Sequence, residues 1–122
     1  MKRVVVVDDD EGMRELVVLL LRGRYEVASA RDGTEGWDLV RRVRPDLVVL
    51  DLLMPGLHGF EVCRRIRADA SLKGVKVLIT SSKSYRSDQR TAVEETGADD
   101  YLVKPFENEA LQIRVKTLLG EA

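Results

Sequence analysis

The sequence predicts an open, doubly wound α/β domain, and three observations support this fold class. The chain has 122 residues, which suits one compact domain over residues 1–122. Short apolar segments rich in β-branched residues alternate with longer segments in which apolar residues recur at helical spacing. Strands that alternate with helices form right-handed βαβ units, and these units build a parallel sheet that helices cover on both faces.

Five short segments have the composition of buried parallel strands. Such strands are apolar on both sides, because helices cover each face of the sheet. Most residues in these segments are apolar, and many are β-branched or aromatic. The predicted strands are residues 4–7, 25–28, 47–50, 75–80 and 101–103.

Five helices are predicted between and after these strands. Four have clear apolar periodicity, whereas residues 90–96, the fourth along the chain, are apolar only at Ala92 and Val93. Asp32 precedes the second helix and Gly97 closes the fourth. The periodic residues are Met13, Leu16, Val17 and Leu20, then Trp37, Val40 and Val43, then Val62 and Ile66, then Leu111, Val115 and Leu118.

The composition excludes several classes of protein. Lys and Arg number 20 against 21 Asp and Glu, so the basic excess of a dedicated nucleic-acid-binding protein is missing. The single cysteine, Cys63, cannot form an internal disulfide, which favours a reducing compartment. The longest apolar run, residues 16–21, is far shorter than the roughly 20 residues that span a bilayer. We therefore expect a cytoplasmic protein that contacts neither nucleic acid nor membrane directly.

Acidic residues directly follow two of the predicted strands. The first strand runs into Asp8, Asp9, Asp10 and Glu11, and the third runs into Asp51. Ligands of doubly wound sheets bind at this carboxyl edge of the strands. Helix capping is an alternative role for such acids, and we assign it to the third and fourth of the run. It does not suit the acid after the third strand, because a loop follows there.

The carboxylates of Asp8, Asp9 and Asp51 would repel one another unless a cation lay among them. Oxygen ligands with no histidine or cysteine nearby favour Mg²⁺, with Mn²⁺ as the second candidate. The sequence therefore predicts a divalent metal site at the carboxyl edge of the sheet.

The fourth and fifth strands bring further polar groups to the same edge. The fourth ends at Thr80 and Ser81, whose hydroxyls could equally serve ordinary turn formation. The fifth ends just before Lys104, a point charge that suits a phosphoryl group. Pro105 makes the Lys104–Pro105 bond a candidate cis peptide, which would direct the lysine towards the carboxylates. This set of groups suits phosphoryl transfer with Asp51 as the nucleophile.

Four ordered motifs at these positions resemble the receiver domain of two-component response regulators, the CheY-like fold, over essentially the whole chain. The resemblance implies a flavodoxin-like (βα)₅ domain with five parallel strands in the order 2-1-3-4-5. The motifs are Val6-Val7-Asp8-Asp9-Asp10, Leu50-Asp51-Leu52-Leu53-Met54-Pro55-Gly56, Gly59-Phe60-Glu61-Val62 and Gly97-Ala98-Asp99-Asp100-Tyr101-Leu102-Val103-Lys104-Pro105-Phe106.

The resemblance also implies roles for individual residues. Asp51 would accept a phosphoryl group from the phosphohistidine of a histidine kinase or a phosphotransfer protein. Mg²⁺ would be bound directly by Asp9, through water by Asp8, by the Asp51 carboxylate and by the backbone carbonyl of Leu53. Lys104 would pair with a phosphoryl oxygen.

The resemblance implies that a hydroxyl and an aromatic residue change position when Asp51 is phosphorylated. Ser81 is preferred over Thr80 as the switch hydroxyl, because it lies 30 residues after Asp51, the usual separation in the family. Tyr101, three residues before the lysine, would move inward. The change would reach the face formed by the fourth helix, fifth strand and fifth helix, roughly residues 84–119.

The leading hypothesis is a phosphorylation-driven switch. It would promote only its own phosphorylation and dephosphorylation and would not be a turnover enzyme. It would control a downstream protein target or a fused output domain, and phosphorylation could drive homodimerisation. An aspartyl-phosphate phosphatase is a second class, but it requires an acid where Leu53 stands. A phosphorylation-independent interaction module is the third, and the complete site argues against it.

Leu53 offers no group to orient an attacking water, so we expect slow hydrolysis of the phosphoryl group. His58 is expected to be an exposed loop residue.

Overall fold

The computed structural model describes residues 1–82 and 94–121, which form a five-stranded parallel sheet. The strands are β1 (Arg3–Val7), β2 (Glu26–Ala30), β3 (Leu47–Asp51), β4 (Lys76–Ser81) and β5 (Asp100–Val103). The described helices are α1 (Glu11–Leu21), α2 (Gly33–Val43), α3 (Gly59–Ala68), a 3₁₀ turn (Ala70–Leu72) and the C-terminal helix (Asn108–Leu118). The predicted fourth helix, residues 90–96, lies largely outside the described residues.

The strand order is β2-β1-β3-β4-β5 and every pairing is parallel, which confirms the predicted doubly wound fold. The second strand begins one residue later and ends two residues later than predicted. Its true extent follows from pairing with β1, which runs from Arg3 opposite Glu26 to Val7 opposite Ala30. This edge strand carries the exposed Ser29, so an apolar pattern underestimates its length.

The core has two layers, one on each face of the sheet. Alternate residues of the central strands point to opposite faces, as the twofold repeat of a strand requires. Val48 and Leu50 of β3 pack with the buried residues of α2 and α3. Leu47 and Val49 pack with those of α1 and the C-terminal helix. All five residues of β3 are buried, so this strand is apolar up to its last position, Asp51.

Polar side chains cap the first turns of α1, α2 and α3. Asp10 accepts a hydrogen bond from the Met13 amide at 3.1 Å, which confirms its predicted capping role in α1. Asp32 begins α2 in the same way. His58 is exposed, as expected, but it also caps α3, because its Nδ1 accepts from the Phe60 amide at 3.2 Å. Histidine is an uncommon cap, so composition alone does not indicate this contact.

Arg67 of α3 ties together the chain segments at the amino-terminal edge of the sheet. Its guanidinium donates to the carbonyls of Val75 at 2.6 Å and Gly97 at 2.7 Å, and to the Asp99 carboxylate at 2.6 Å. The same Asp99 oxygen accepts from the Val77 amide at 2.8 Å. Gly97 has φ of +81°, and a Cβ there would lie 2.8 Å from the arginine side chain. One side chain therefore fixes where β4 and β5 begin.

Cys63 is fully buried and its thiol donates to the Thr96 carbonyl at 3.3 Å, so it packs as a small core residue. Burial raises the pKa of this thiol. Within residues 1–82 and 94–121, no helix combines the length and the apolar character needed to cross a membrane.

We predict that Arg67→Met lowers the free energy of unfolding by about 2 kcal/mol, because it leaves a half-buried carboxylate and two carbonyls without their donor. Arg65→Met on the same helix is the matched control. Arg65 pairs with Glu61 at 3.5 Å and is 46% exposed, so we expect a change of about 0.5 kcal/mol or less. Urea unfolding followed by circular dichroism measures both, and equal losses in the two variants would contradict the assigned role of Arg67.

Candidate functional site

The acidic residues meet at the carboxyl edge of the sheet because β1 and β3 are neighbours. Val7 pairs with Leu50, so the residues that follow lie side by side, Asp8 just beyond β1 and Asp51 at the last position of β3. One carboxylate oxygen from each of Asp8, Asp9 and Asp51 lies within 4.8 Å of the others. The acidic cluster predicted from the sequence therefore exists as a compact group.

Lys104 lies among these carboxylates. Its Nζ is 2.8 Å from Oδ2 of Asp8 and 3.3 Å from Oδ1 of Asp51, and its side chain is only 15% exposed. Burial alone would lower the Lys104 pKa, but the hydrogen bond that Lys104 donates to Asp8 and the charge of Asp51 raise it above its usual value. The ammonium therefore stays charged and offsets part of the repulsion among the acids.

Asp8 is held at each of its polar atoms. Its amide donates to the Ala30 carbonyl at 3.2 Å, and its Oδ1 accepts from the Asp10 amide at 2.9 Å. Its Oδ2 accepts from Lys104, and its own carbonyl accepts from Arg14 at 2.9 Å. Both carboxylate oxygens thus already have donors from the protein. This arrangement suits contact with a metal through water better than direct ligation.

Asp51 is buried at the end of the central strand. A Cβ on Gly59 would come within 2.5 Å of the Asp51 carbonyl, so only glycine allows α3 to begin this close to β3. Burial, with a further contribution from the charge of Asp8, raises the pKa of Asp51 to about 6, although Lys104 opposes the shift. The carboxylate therefore lacks enough positive charge around it in the protein alone.

The donor set fits a hard divalent cation. The three clustered side chains offer only carboxylate oxygens, which are the ligands that Mg²⁺ and Mn²⁺ prefer. Asp9 is exposed, and one of its carboxylate oxygens lies within 4.8 Å of those of Asp8 and Asp51, so it completes the cluster on the solvent side. Asp8, Asp9 and Asp51 are thus the side chains that could hold the ion.

Thr80 and Ser81 both end β4 as buried residues. Thr80 is the register partner of Asp51, whereas Ser81 pairs with Val103. The carbonyl of Ser81 accepts from the Lys104 amide at 2.7 Å, which ties the end of β4 to the lysine. Both hydroxyls thus lie on the strand beside the acids, and the choice of Ser81 stays a prediction.

The remaining predicted residues lie around this cluster. Tyr101 on β5 is 7% exposed and packs in the core layer of α2 and α3. Leu53 lies in the loop after β3 with its side chain 45% exposed. The peptide bond between Lys104 and Pro105 is cis.

Arg14 is a residue near the cluster that the sequence motifs do not single out. It lies one turn into α1 and reaches back to the carbonyl of Asp8. Its position in the sequence could have indicated this contact, because an arginine four residues after the Asp10 cap lies on the same side of the helix as the cap.

We predict that Asp51→Asn stabilises the protein in EDTA, because it removes a carboxylate that is poorly compensated in the fold. The folded-state pKa of about 6 exceeds the ordinary value of 3.8, so ionisation of Asp51 costs stability as pH rises from about 4 to above 6. The advantage of the variant should be small near pH 4 and, at about 1.4 kcal/mol per pKa unit, reach roughly 3 kcal/mol at pH 7.5. Lys104 keeps its partner Asp8 in the variant.

Thermal and urea unfolding at pH 4, 6 and 7.5 measure this difference. Asp38→Asn serves as the control, because Asp38 is an exposed acid that pairs with Arg41 on α2. We expect no pH-dependent gain from it. A variant at position 51 that is less stable than the natural protein at pH 7.5 would refute the expectation.

Comparison with known proteins places this site in a family. Residues 4–116 match the family described as response regulator receiver domain. The chain is 42% identical over 119 residues to the DNA-binding response regulator MtrA of Mycolicibacterium paratuberculosis. That match covers 97% of this chain and 51% of MtrA, so the chain spans about half the length of this relative.

Two solved structures share the fold closely. The chemotaxis protein CheY4 of Vibrio cholerae superposes with a TM-score of 0.90 at 29% identity, covering 97% of this chain and 98% of that one. The BeF3-activated DrrB receiver domain superposes with a TM-score of 0.88 at 31% identity, covering 99% of both chains. The family match over residues 4–116, supported by these relatives, shows that the chain belongs to the response regulator receiver domain family.

Proposed function

We propose that this chain is the phosphoacceptor switch of a two-component system, with Asp51 as the residue that is phosphorylated. The observation that carries the proposal is the position of Lys104, whose ammonium lies 3.3 Å from Asp51 inside a cluster of three acids. An acid cluster that needs a divalent ion, beside a fixed lysine, provides the positive charge that a transferring phosphoryl group requires.

In the proposed reaction, an oxygen of the Asp51 carboxylate attacks the phosphorus of a phosphohistidine. The new P–O bond forms as the P–N bond breaks, and the imidazole leaves with a proton taken from solvent. Lys104 pairs with a phosphoryl oxygen as negative charge gathers there. The chain promotes only its own phosphorylation and dephosphorylation, so it is not a turnover enzyme.

Mg²⁺ is the proposed cofactor, and Mn²⁺ would serve in its place. Asp9 and Asp51 would bind the ion by their carboxylates, Asp8 through water and Leu53 by its backbone carbonyl. When bound, the ion neutralises charge on the phosphoryl oxygens. The occupied oxygens of Asp8 support its indirect role, because they already accept from Lys104 and Asp10.

The switch would act through the ends of β4 and β5. Ser81, with Thr80 as the alternative, would move towards the phosphoryl oxygen, and Tyr101 would respond on the neighbouring strand. The β4–β5 register supports this coupling, since Ile79 pairs with Tyr101 and Ser81 with Val103. The surface that changes would include β5 and the C-terminal helix.

The partners would be proteins. A sensor histidine kinase or a phosphotransfer protein would supply the phosphoryl group, and a downstream protein or a fused output domain would read the result. MtrA is named a DNA-binding response regulator, and this chain matches about half of it. DNA contact would therefore belong to an output domain, while these residues act as the switch, with phosphorylation-dependent homodimerisation as one way to transmit it.

We predict that acetyl phosphate with Mg²⁺ adds one phosphoryl group to this chain and that Asp51→Asn abolishes the adduct. The reason is that Asp51 is buried beside Lys104, whereas both carboxylate oxygens of Asp8, the other buried acid of the cluster, already accept hydrogen bonds from the protein. Intact-mass spectrometry measures the adduct, with EDTA and Asp38→Asn as controls. No adduct on the folded natural protein, or an equal adduct on Asp51→Asn, would refute the proposal.

We further predict that the phosphoryl group on Asp51 persists for minutes or longer. Leu53 is exposed and apolar, so it cannot hydrogen bond an attacking water. Leu53→Asn should shorten the lifetime severalfold, because its amide could orient the water. Loss of ³²P label in Mg²⁺ buffer measures both rates, and Leu19→Asn, an exposed leucine on α1, is the matched control. Decay of the natural protein within seconds would contradict this expectation.

A further inference from the structure

Arg14 connects α1 to the backbone of the acidic cluster. Its Nη1 donates to the carbonyl oxygen of Asp8 at 2.9 Å, six residues back along the chain. That carbonyl belongs to the peptide group that joins Asp8 to Asp9. The hydrogen bond therefore fixes the plane of the peptide immediately before Asp9, the exposed acid of the cluster.

Three local hydrogen bonds close around Asp9. The Asp8 carboxylate accepts from the Asp10 amide at 2.9 Å, and the Asp10 carboxylate accepts from the Met13 amide at 3.1 Å. Arg14 completes the set from the first turns of α1. The peptide on each side of Asp9 is thus held by a side chain, one by Arg14 and one by Asp8.

These restraints matter because Asp9 has the least support of the three acids. Asp8 and Asp51 are buried, at 3% and 7% exposure, and both contact Lys104. Asp9 is exposed, so packing does not fix its carboxylate. Its direction depends on the backbone, and the backbone depends on the three hydrogen bonds.

We propose that Arg14 is a positioning residue that orients the Asp8–Asp9 peptide so that the Asp9 carboxylate faces Asp51, and that it thereby tightens the binding of Mg²⁺. The inference rests on the metal site of the proposed function. Ligands held in place before the ion arrives lose less conformational freedom on binding.

The sign of the effect separates this role from a purely electrostatic one. A guanidinium beside the acids adds positive charge, which would weaken the binding of a cation. Orientation of Asp9 would strengthen it. Removal of Arg14 therefore weakens Mg²⁺ binding if orientation dominates and tightens it if charge dominates.

The experiment is a titration of ¹⁵N-labelled protein with MgCl₂, following the amide signals of Asp9 and Asp10. We expect R14A to weaken Mg²⁺ binding about fivefold, less than the full loss of a hydrogen bond made by a charged donor, because this bond acts on the metal only through the position of Asp9. R14K should recover part of the loss, because lysine can donate to the carbonyl but lacks the planar fork of arginine. R22A, an exposed arginine at the end of the same helix, should bind like the natural protein.

Phosphorylation by acetyl phosphate gives a second measurement. R14A should need more Mg²⁺ to reach half of the maximal rate but should approach the natural maximal rate once Mg²⁺ saturates. A melting temperature measured in EDTA detects general destabilisation, which would lower the stability of R14A without changing its Mg²⁺ affinity.

An affinity for Mg²⁺ that is unchanged or tighter in R14A would overturn the positioning role while leaving the metal site intact. A natural protein that shows no Mg²⁺-dependent shifts would instead refute the metal site itself, and the inference with it. The first failure appears only in the R14A variant, whereas the second already appears in the natural protein.

Discussion

Three carboxylates share one end of the sheet, and the rest of the site depends on how their repulsion is offset. Lys104 contacts two of them, Asp8 and Asp51, and is itself largely buried. This lysine is one positive charge among three acids, so the cluster remains short of positive charge. The pKa of Asp51 is raised mainly by burial, and the charge of Asp8 adds to the shift. The same imbalance that costs stability is what the proposed divalent ion would offset.

The topology of the sheet creates this cluster from distant parts of the chain. Placing β1 beside β3 joins Asp8 to Asp51, and placing β4 between β3 and β5 leads Lys104 back towards them. These charged groups lie at the last residue of a strand or just after it, so no charged residue occurs among the described residues of the two core layers. At the opposite edge, Arg67 holds the starts of β4 and β5. The sheet is thus fixed by Arg67 at one edge and carries the acidic cluster at the other.

Patterns among residues that are close in sequence predicted the structural features that such residues determine. The alternation of strands and helices gave the fold class, and Asp10 was recognisable as a cap because it precedes an apolar helix. Parallel strands predicted that Asp51 and Lys104 would meet. The extent of β2, the cap from His58 and the contacts of Arg67 were missed, because pairing partners and long-range donors set them. In the sequence, an arginine that donates hydrogen bonds to distant carbonyls cannot be told apart from one on a solvated helix face.

At the proposed metal site, the raised pKa of Asp51 would also make ion binding a proton-releasing event. Near pH 6, about half of the molecules without an ion would hold a proton on this carboxylate, whereas few would above pH 8. A divalent ion that binds the cluster must displace that proton. The heat of ion binding will therefore contain the ionisation enthalpy of whichever buffer takes up the proton. Calorimetry in two buffers of different ionisation enthalpy would count the protons that leave this one aspartate.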